Sequence, residues 1–380
     1  RHMQPACART GAGSCAAAVP TLLGFRISDH ELGSVQSDTY RWNDHIPHIY
    51  DRCFQMMTQA QLHEVRTRYT GYVTTMQGKP WGGPGMPSNN YFWGGFRNEV
   101  CWALATLHES PDAQGILDFA LRIRWSAFLL WAAVPGKGGV PHEGSQYGPY
   151  MLGYPVAAIR SLAALGRNLL TETPWFDDAV RAVIALTVGG DLMPFNDDET
   201  WHQGGSARKA ELTRFMRMMA DLSPATETRR LAAAWLANDR AAYAALPLDH
   251  DASGSLQLLI ARSSWEADST VVFLQLGLPR GVGHQHQDAG SFQLARGADW
   301  LSRETVGYAD SLGGGAPTSG PLAHNVLTFN DKGMANAYLK GSPRVTAVDR
   351  QLGYVYAAVD LTDAYRAVNT PDPARDDNPF

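Results

Sequence analysis

The chain is poor in cysteine. Its four, Cys7, Cys15, Cys53 and Cys101, form no C-x-x-C pair, which argues against a zinc site built from cysteines. Cys7 and Cys15 could bridge, but the sequence alone does not require it. A basic stripe is also missing. The net charge over 380 residues is -5, with both signs interspersed. That argues against a nucleic-acid partner and against a dedicated reader of heavily sulfated chains. No apolar run approaches the roughly 20 residues of a membrane span. Arg1-His2-Met3 reads as a tag remnant and no intact signal peptide follows, so any exporting segment is expected to lie outside this chain.

Aromatics, by contrast, are abundant, with 11 tryptophans and 14 tyrosines. Many sit among Gly and Asn, as in Pro80-Trp81-Gly82-Gly83 and Asn90-Tyr91-Phe92-Trp93-Gly94. Rings on glycine-rich loops stack well on sugar faces, although they also fill ordinary cores.

The length suits two domains. Up to about residue 250 the apolar period is helical. Ser110-Pro111-Asp112 opens a helix that runs through Ile116, Ala120 and Ile123. Val156, Ile159, Leu162 and Ala163 form another stripe. Thr173-Pro174 with Asp177 and Asp178 opens a third, with Phe176, Val180, Val183 and Ile184 on one face. Residues 43–67, 94–108, 206–222 and 227–245 read as further helices. From Asp249 the pattern turns to short β-rich runs at Leu256–Ala261, Thr270–Leu276, Ser291–Ala295, Asn325–Phe329, Arg344–Val348 and Tyr354–Val359. The expected architecture is multidomain α+β. An α/α toroid of helical hairpins over 1–250 precedes an antiparallel β-sandwich over 251–380, with room for the β-domain to continue past Phe380.

The richest segment is Gly283-His284-Gln285-His286-Gln287-Asp288-Ala289-Gly290-Ser291-Phe292. In extended backbone, alternate residues share a side, so His284, His286 and Asp288 project together. Such a trio suits a metal or a proton-transfer site, and Glu304 and His324 could complete it. Paired imidazoles also occur for purely structural reasons, and Asp288 is expected only to cap or orient. Asn196-Asp197-Asp198-Glu199 lacks the spacing of a calcium loop and is expected to be a solvated turn.

These motifs resemble the heparinase II/III-like polysaccharide lyases, which include heparin, alginate and related uronate lyases. The stretch from His284 to Phe292 looks like that group's H-x-H-x-D-x-G-S-F signature. Leu322-Ala323-His324-Asn325-Val326 looks like its later H-N motif. Ser88-Asn89-Asn90-Tyr91-Phe92-Trp93 is similar to the Asn-Asn-His segment of its alginate-lyase relatives, with Tyr91 standing where they carry His. Pro141-His142-Glu143-Gly144-Ser145-Gln146-Tyr147 resembles the stretch before its catalytic Tyr, with Tyr150 the alternative.

The resemblance implies cleavage of a uronic-acid polysaccharide by β-elimination, in a secreted or periplasmic setting. It implies His284, Tyr147 and Asn90 at the reaction centre. It also implies a zinc ion of structural role on His286, Glu304 and His324, with Glu304 departing from the usual Asp. Asn89, Trp93, Arg97, Tyr150, Trp201 and His202 are expected to line the sugar cleft. Two other functions compete: an α/α-toroid glycoside hydrolase, which needs a pair of suitably spaced carboxylates, and a non-catalytic glycan-binding relative.

Overall fold

A computed structural model describes residues 12–34, 44–198, 206–253, 257–277, 284, 286–304, 318–329, 333–334 and 343–366. The chain divides into two compact units: residues 1–131 with 153–173, and residues 132–152 with 174–380. The second unit therefore carries helices as well as the sheet.

The helices of the first unit are α1 (Ala12–Gly24), α2 (Asp29–Gly33), α3 (His45–Arg52), α4 (Gln59–Gln77), α5 (Asn90–Thr106) and α6 (Ala113–Asp118). A π-helical turn, Phe119–Arg124, then leads into α7 (Trp125–Ala133). The helix expected over 43–67 is two helices. Thr58 breaks it, because its side chain accepts from the Gln61 N–H while the Gln61 side chain returns to the Thr58 N–H. That capping box starts α4 afresh.

α5 is the buried axis of this unit, with every residue from Phe92 to Thr106 enclosed. Trp93 and Phe128 meet edge to face at 4.7 Å, and Trp102 meets Tyr69 in the same way at 4.7 Å. Burying each such ring contributes about 1.5–3 kcal/mol. A charge pair crosses this core: Arg124 Nε donates to both Glu99 oxygens, at 2.9 and 2.8 Å, and its Nη1 donates to Gly82 O at 2.6 Å. Gly95 makes room for it, since a Cβ there would come 3.0 Å from the guanidinium. Cys15 is bonded to Cys53, which replaces the Cys7–Cys15 bridge considered above.

In the second unit, α8 (Gly144–Gly153) is followed, after the residues of the first unit that include α9 (Val156–Ala164), by α10 (Trp175–Leu186), α11 (Ser206–Leu222) and α12 (Thr226–Ala237). α12 ends in Asn238, whose φ of 55° gives the left-handed cap. A short pair, β1 (Thr187–Val188) with β2 (Asp191–Leu192), precedes α11. The main sheet has five antiparallel strands in chain order: β3 (Asp249–Ala252), β4 (Leu258–Arg262), β5 (Thr270–Gln275), β6 (Ser291–Arg296) and β7 (Asp299–Ser302). Its burial alternates along β5 and β6 as period-two packing requires. α10 packs on β3 and β4, and Arg262 Nη2 donates to Ala185 O at 2.6 Å.

A separate hairpin, β8 (Arg344–Gln351) with β9 (Tyr354–Asp360), is tied to β3 by Arg350 Nη1 donating to Asp249 Oδ2 at 2.5 Å. The strand expected at Asn325–Phe329 is irregular apart from one bridging residue, Phe329. Among the described residues no helix is long and apolar enough to cross a membrane.

Candidate active site

The site grows from three segments of the second unit that are far apart in sequence. The first is the start of α8. Gly144 has a φ of +79°, and a Cβ there would lie 2.3 Å from Phe195 O, so only glycine lets this turn approach residues 195–196. Ser145 N–H donates to Phe195 O at 3.1 Å, and the Ser145 hydroxyl donates to Asp198. The second segment is thereby clamped. Arg208 Nη1 donates to Asp198 Oδ2 at 2.8 Å, and Asn196 Nδ2 donates to His142 O at 3.0 Å. The third is the His-x-His segment, joined to the second by Asp197 N–H donating to His284 O at 3.2 Å.

This framework places Tyr147, half-buried on α8, flat against His284. The ring centroids are 3.8 Å apart and the planes 13° apart. Tyr150 lies one turn on, its ring 6.3 Å from that of Tyr147. The Asp197 carboxylate meets both imidazoles: Oδ2 is 2.6 Å from His284 Nδ1 and Oδ1 is 2.8 Å from His286 Nε2. Asp197 and Asp198 are buried, not in the solvated turn expected for them. Their charges are tolerated because imidazoles and a guanidinium face them.

Below this layer the ligand atoms of His286, Glu304 and His324 all lie within 4.8 Å of one another, close enough to converge on one ion. Glu304 accepts from the Ser291 hydroxyl at 2.7 Å, and His324 Nδ1 lies 3.1 Å from Glu304 Oε2. His286 Nδ1 is buried with no hydrogen-bond partner among the described residues, as are both oxygens of Asp288. Orphaned buried donors and acceptors are costly unless something binds them, so this donor set fits a cation. Of the two roles expected for Asp288, capping is not seen among the described residues.

Burial, then the charge of Glu304, push the Asp288 carboxyl well above the usual carboxylate range, against the pull of His324. Burial pushes on Glu304 too, but His324, the Ser291 hydroxyl and His286 outweigh it, and the net direction is down. Burial pulls the His324 imidazole down, but Glu304, with Asp288 behind it, outweighs that and the net direction is up. Two buried carboxyls are thus driven apart, one towards the neutral form and one towards the ionised. A little outside, burial lowers His142 to about 4.

The remaining candidates belong to the first unit or lie outside the described residues. Asn89 is the N-cap of α5, its Oδ1 accepting from Tyr91 N–H at 2.8 Å. Asn90 begins that helix and is enclosed. Arg97 is buried, 4.8 Å above the Tyr154 ring and 3.8 Å from Asp44. Trp93 is fully enclosed by Phe92, Phe96 and Phe128, and its indole N–H donates to Pro87 O at 2.9 Å. It is a core residue with no face left for the sugar stacking expected of it. Trp201 and His202, like Glu199, lie outside the described residues. A cavity of about 520 Å³ elsewhere in the second unit is lined by Gly138, His250, Arg262 and Trp265, and no candidate residue lines it.

Sequence reasoning gives Asp197 and Arg208 no place at this centre, and it gives Ser145 and Ser291 no role although both fall within its motifs. One signal is available for Asp197: the acids stand just one residue, Asn196, beyond Leu192-Met193-Pro194-Phe195, an apolar run that carries them inward.

Comparison with known proteins places the fold. No family model matches the chain, and no curated protein matches it. Among solved structures it is similar to a heparinase III gene product, with a TM-score of 0.60 and 13% identity over 92% of this chain and 55% of that one. It is also similar to the heparan sulfate lyase HepC from Pedobacter heparinus, with a TM-score of 0.56 and 14% identity over 84% of this chain and 49% of that one. A further heparinase III structure gives a TM-score of 0.55 and 12% identity over 82% and 49%. The chain thus spans about half the length of these proteins. It shares their fold, a helical toroid followed by an antiparallel β-domain.

Proposed function

We propose that this chain is a polysaccharide lyase that cleaves a uronic-acid-containing polymer by β-elimination. A base removes the proton on C5, the C4–O bond breaks, a C4=C5 double bond forms, and an acid protonates the departing oxygen. The observation that carries this reading is the Tyr147–His284 stack with His284 tied to Asp197. It supplies a phenol and an oriented imidazole side by side, and both groups can move protons near neutral pH or on a modest shift. An unperturbed phenol has a pKa of about 10, which suits Tyr147 to giving its proton to the leaving oxygen, with His284 at the C5 proton. The carboxylate-neutralising role of Asn90 stands on the resemblance of its segment alone.

The donor set at His286, Glu304 and His324 fits zinc in ligand type and number. A cation there would supply fixed positive charge that holds these side chains and the three separate segments they come from. The chain's own residues would carry the proton transfers. The disulfide Cys15–Cys53 supports an exported protein, since such bonds persist in oxidising compartments. The hydrolase alternative needs a free pair of carboxylates. The neighbouring carboxylates Asp197 and Asp198 are already engaged by His284, His286, Ser145 and Arg208.

The deciding experiment incubates the protein with alginate, glucuronan, hyaluronan, chondroitin and heparin and follows the absorbance of unsaturated uronate. Growth of that band with any of them supports the lyase. Reducing ends appearing without it would favour hydrolysis, and binding without release would favour the non-catalytic reading.

A further inference from the structure

We infer that Asp197 is a positioning residue that selects the working nitrogen of two imidazoles at once. Through it the cation cluster and the reaction centre are built as one unit. The inference rests on the lyase reading only where it concerns turnover.

A carboxylate only accepts hydrogen bonds. Each ring nitrogen that faces an ionised carboxylate must therefore carry the hydrogen, and in a neutral imidazole the other nitrogen is left with a bare lone pair. Asp197 Oδ2 lies 2.6 Å from His284 Nδ1. His284 is thereby held as the Nδ1–H form, and its Nε2 is the atom that takes or returns a proton. Asp197 Oδ1 lies 2.8 Å from His286 Nε2. His286 is held as the opposite, Nε2–H form, which leaves the lone pair on Nδ1. That Nδ1 is buried and without a hydrogen-bond partner among the described residues, and His286 belongs to the cluster with Glu304 and His324. Two histidines two residues apart are set in opposite tautomers by the two oxygens of one side chain.

The backbone around Asp197 supports a built arrangement. Its own N–H donates to His284 O at 3.2 Å. Asn196 before it and His284 opposite it both adopt left-handed backbone, with φ of 56° and 70°. Such conformations cost free energy in non-glycine residues and persist where the surroundings hold them. Here the holding groups are Ser145, Asp198 and Arg208. Carboxylates that orient a metal-bound imidazole through its second nitrogen tune affinity by about 10- to 100-fold. Asp197 is placed to do this for His286 while orienting His284.

The test begins with the unaltered protein. With ¹⁵N-labelled histidine and bound Zn²⁺, long-range ¹H–¹⁵N spectra are expected to show hydrogen on Nδ1 of His284 and on Nε2 of His286. The opposite tautomer at either ring overturns the inference, and this measurement requires no variant. In Asp197→Asn, Zn²⁺ affinity measured by chelator competition is expected to fall about 10- to 100-fold, and the His284 tautomer to become mixed. Asp197→Glu, which keeps the acceptor, is expected to recover part of both. A wild-type Zn²⁺ affinity or an unchanged His284 spectrum in folded Asp197→Asn would equally overturn it. None of these readouts needs a substrate, so they stand apart from failure of the lyase reading, which the polymer screen alone decides. If a polymer is cleaved, Asp197→Asn is expected to lower kcat far more than it changes KM.

Discussion

The phenol of Tyr147 lies flat on the imidazole of His284, with centroids 3.8 Å apart. An aromatic phenol stacked in this way limits how the imidazole can tilt, while Asp197 limits how it can spin. Two independent restraints on one ring leave it close to a single orientation, which is what a proton-transfer group requires.

His284→Ala is expected to abolish cleavage and leave the melting temperature within a few degrees of the parent. Tyr147→Phe keeps the stack and removes the hydroxyl, so it is expected to lose turnover by about 10²- to 10⁴-fold while polymer binding persists. Steady-state rates and a binding titration on the same preparations check this. Tyr150→Phe having the larger effect would shift the acid to that residue.

His286→Ala is expected to lower zinc content and thermal stability together. The scale is the roughly 3–4 kcal/mol that a ligand contributes at about 100–1,000 times its dissociation constant. Metal analysis and melting curves with and without chelator measure it. The alanine protein should no longer respond to the chelator.

Gly144→Ala is expected to cost more than an ordinary loop substitution. The left-handed backbone alone costs an alanine about 1–3 kcal/mol, and the new Cβ would press on Phe195 O. Activity and melting temperature should fall together, because the turn that presents Tyr147 must move. A fully active variant would show that the turn does not position Tyr147.

Acid stability is expected to depend in part on His142. Burial holds its imidazole down at about 4, below the ordinary 6.5, so the unfolded chain binds a proton that the folded chain refuses. The neutral ring's contribution is intact above about pH 6.5 and is lost as pH falls towards 4, on the order of 3 kcal/mol in all. In His142→Gln, denaturant midpoints measured across this window should fall less steeply than in the parent. Parallel curves would exclude His142 as the source.

Arg124→Met is expected to destabilise the first unit by about 3–5 kcal/mol, since it strands the buried Glu99 carboxylate. Adding Glu99→Gln should recover part of that loss, and a double-mutant cycle gives the coupling. Burial already pushes Glu99 up to about 7 against the pull of Arg124. The single variant should therefore be relatively less impaired below neutral pH.

Much of this is legible in the chain. The apolar period announces α9, α10 and α11, and alternation announces β5, β6, β8 and β9. His284 and His286 are legible because their spacing is local. Asp197 is not, because an acid run reads as solvated until its partners are known, and those partners lie 87 and 89 residues away. Thr58 escapes notice for a different reason: the apolar stripe continues on either side of it, and only the cap to Gln61 reveals the break. Composition points Trp93 to the cleft, and packing against Phe128 decides otherwise. The strand expected at Asn325–Phe329 fails because β propensity does not provide a neighbour. Asn325 instead donates to Phe292 O at 2.8 Å and to Ser302 Oγ at 2.7 Å.

Among the described residues, the pairing of Cys15 with Cys53 leaves Cys101 as a thiol deep in α5, where burial pushes it up to about 12. Exchange between a thiol and a disulfide needs an ionised, accessible sulfur as attacker. Cys101 offers neither, so in the folded protein it cannot scramble the Cys15–Cys53 bond. Misbonding through this sulfur is confined to the time before the first unit closes, and oxidative refolding that lets α5 pack before oxidant is added should give the higher native yield.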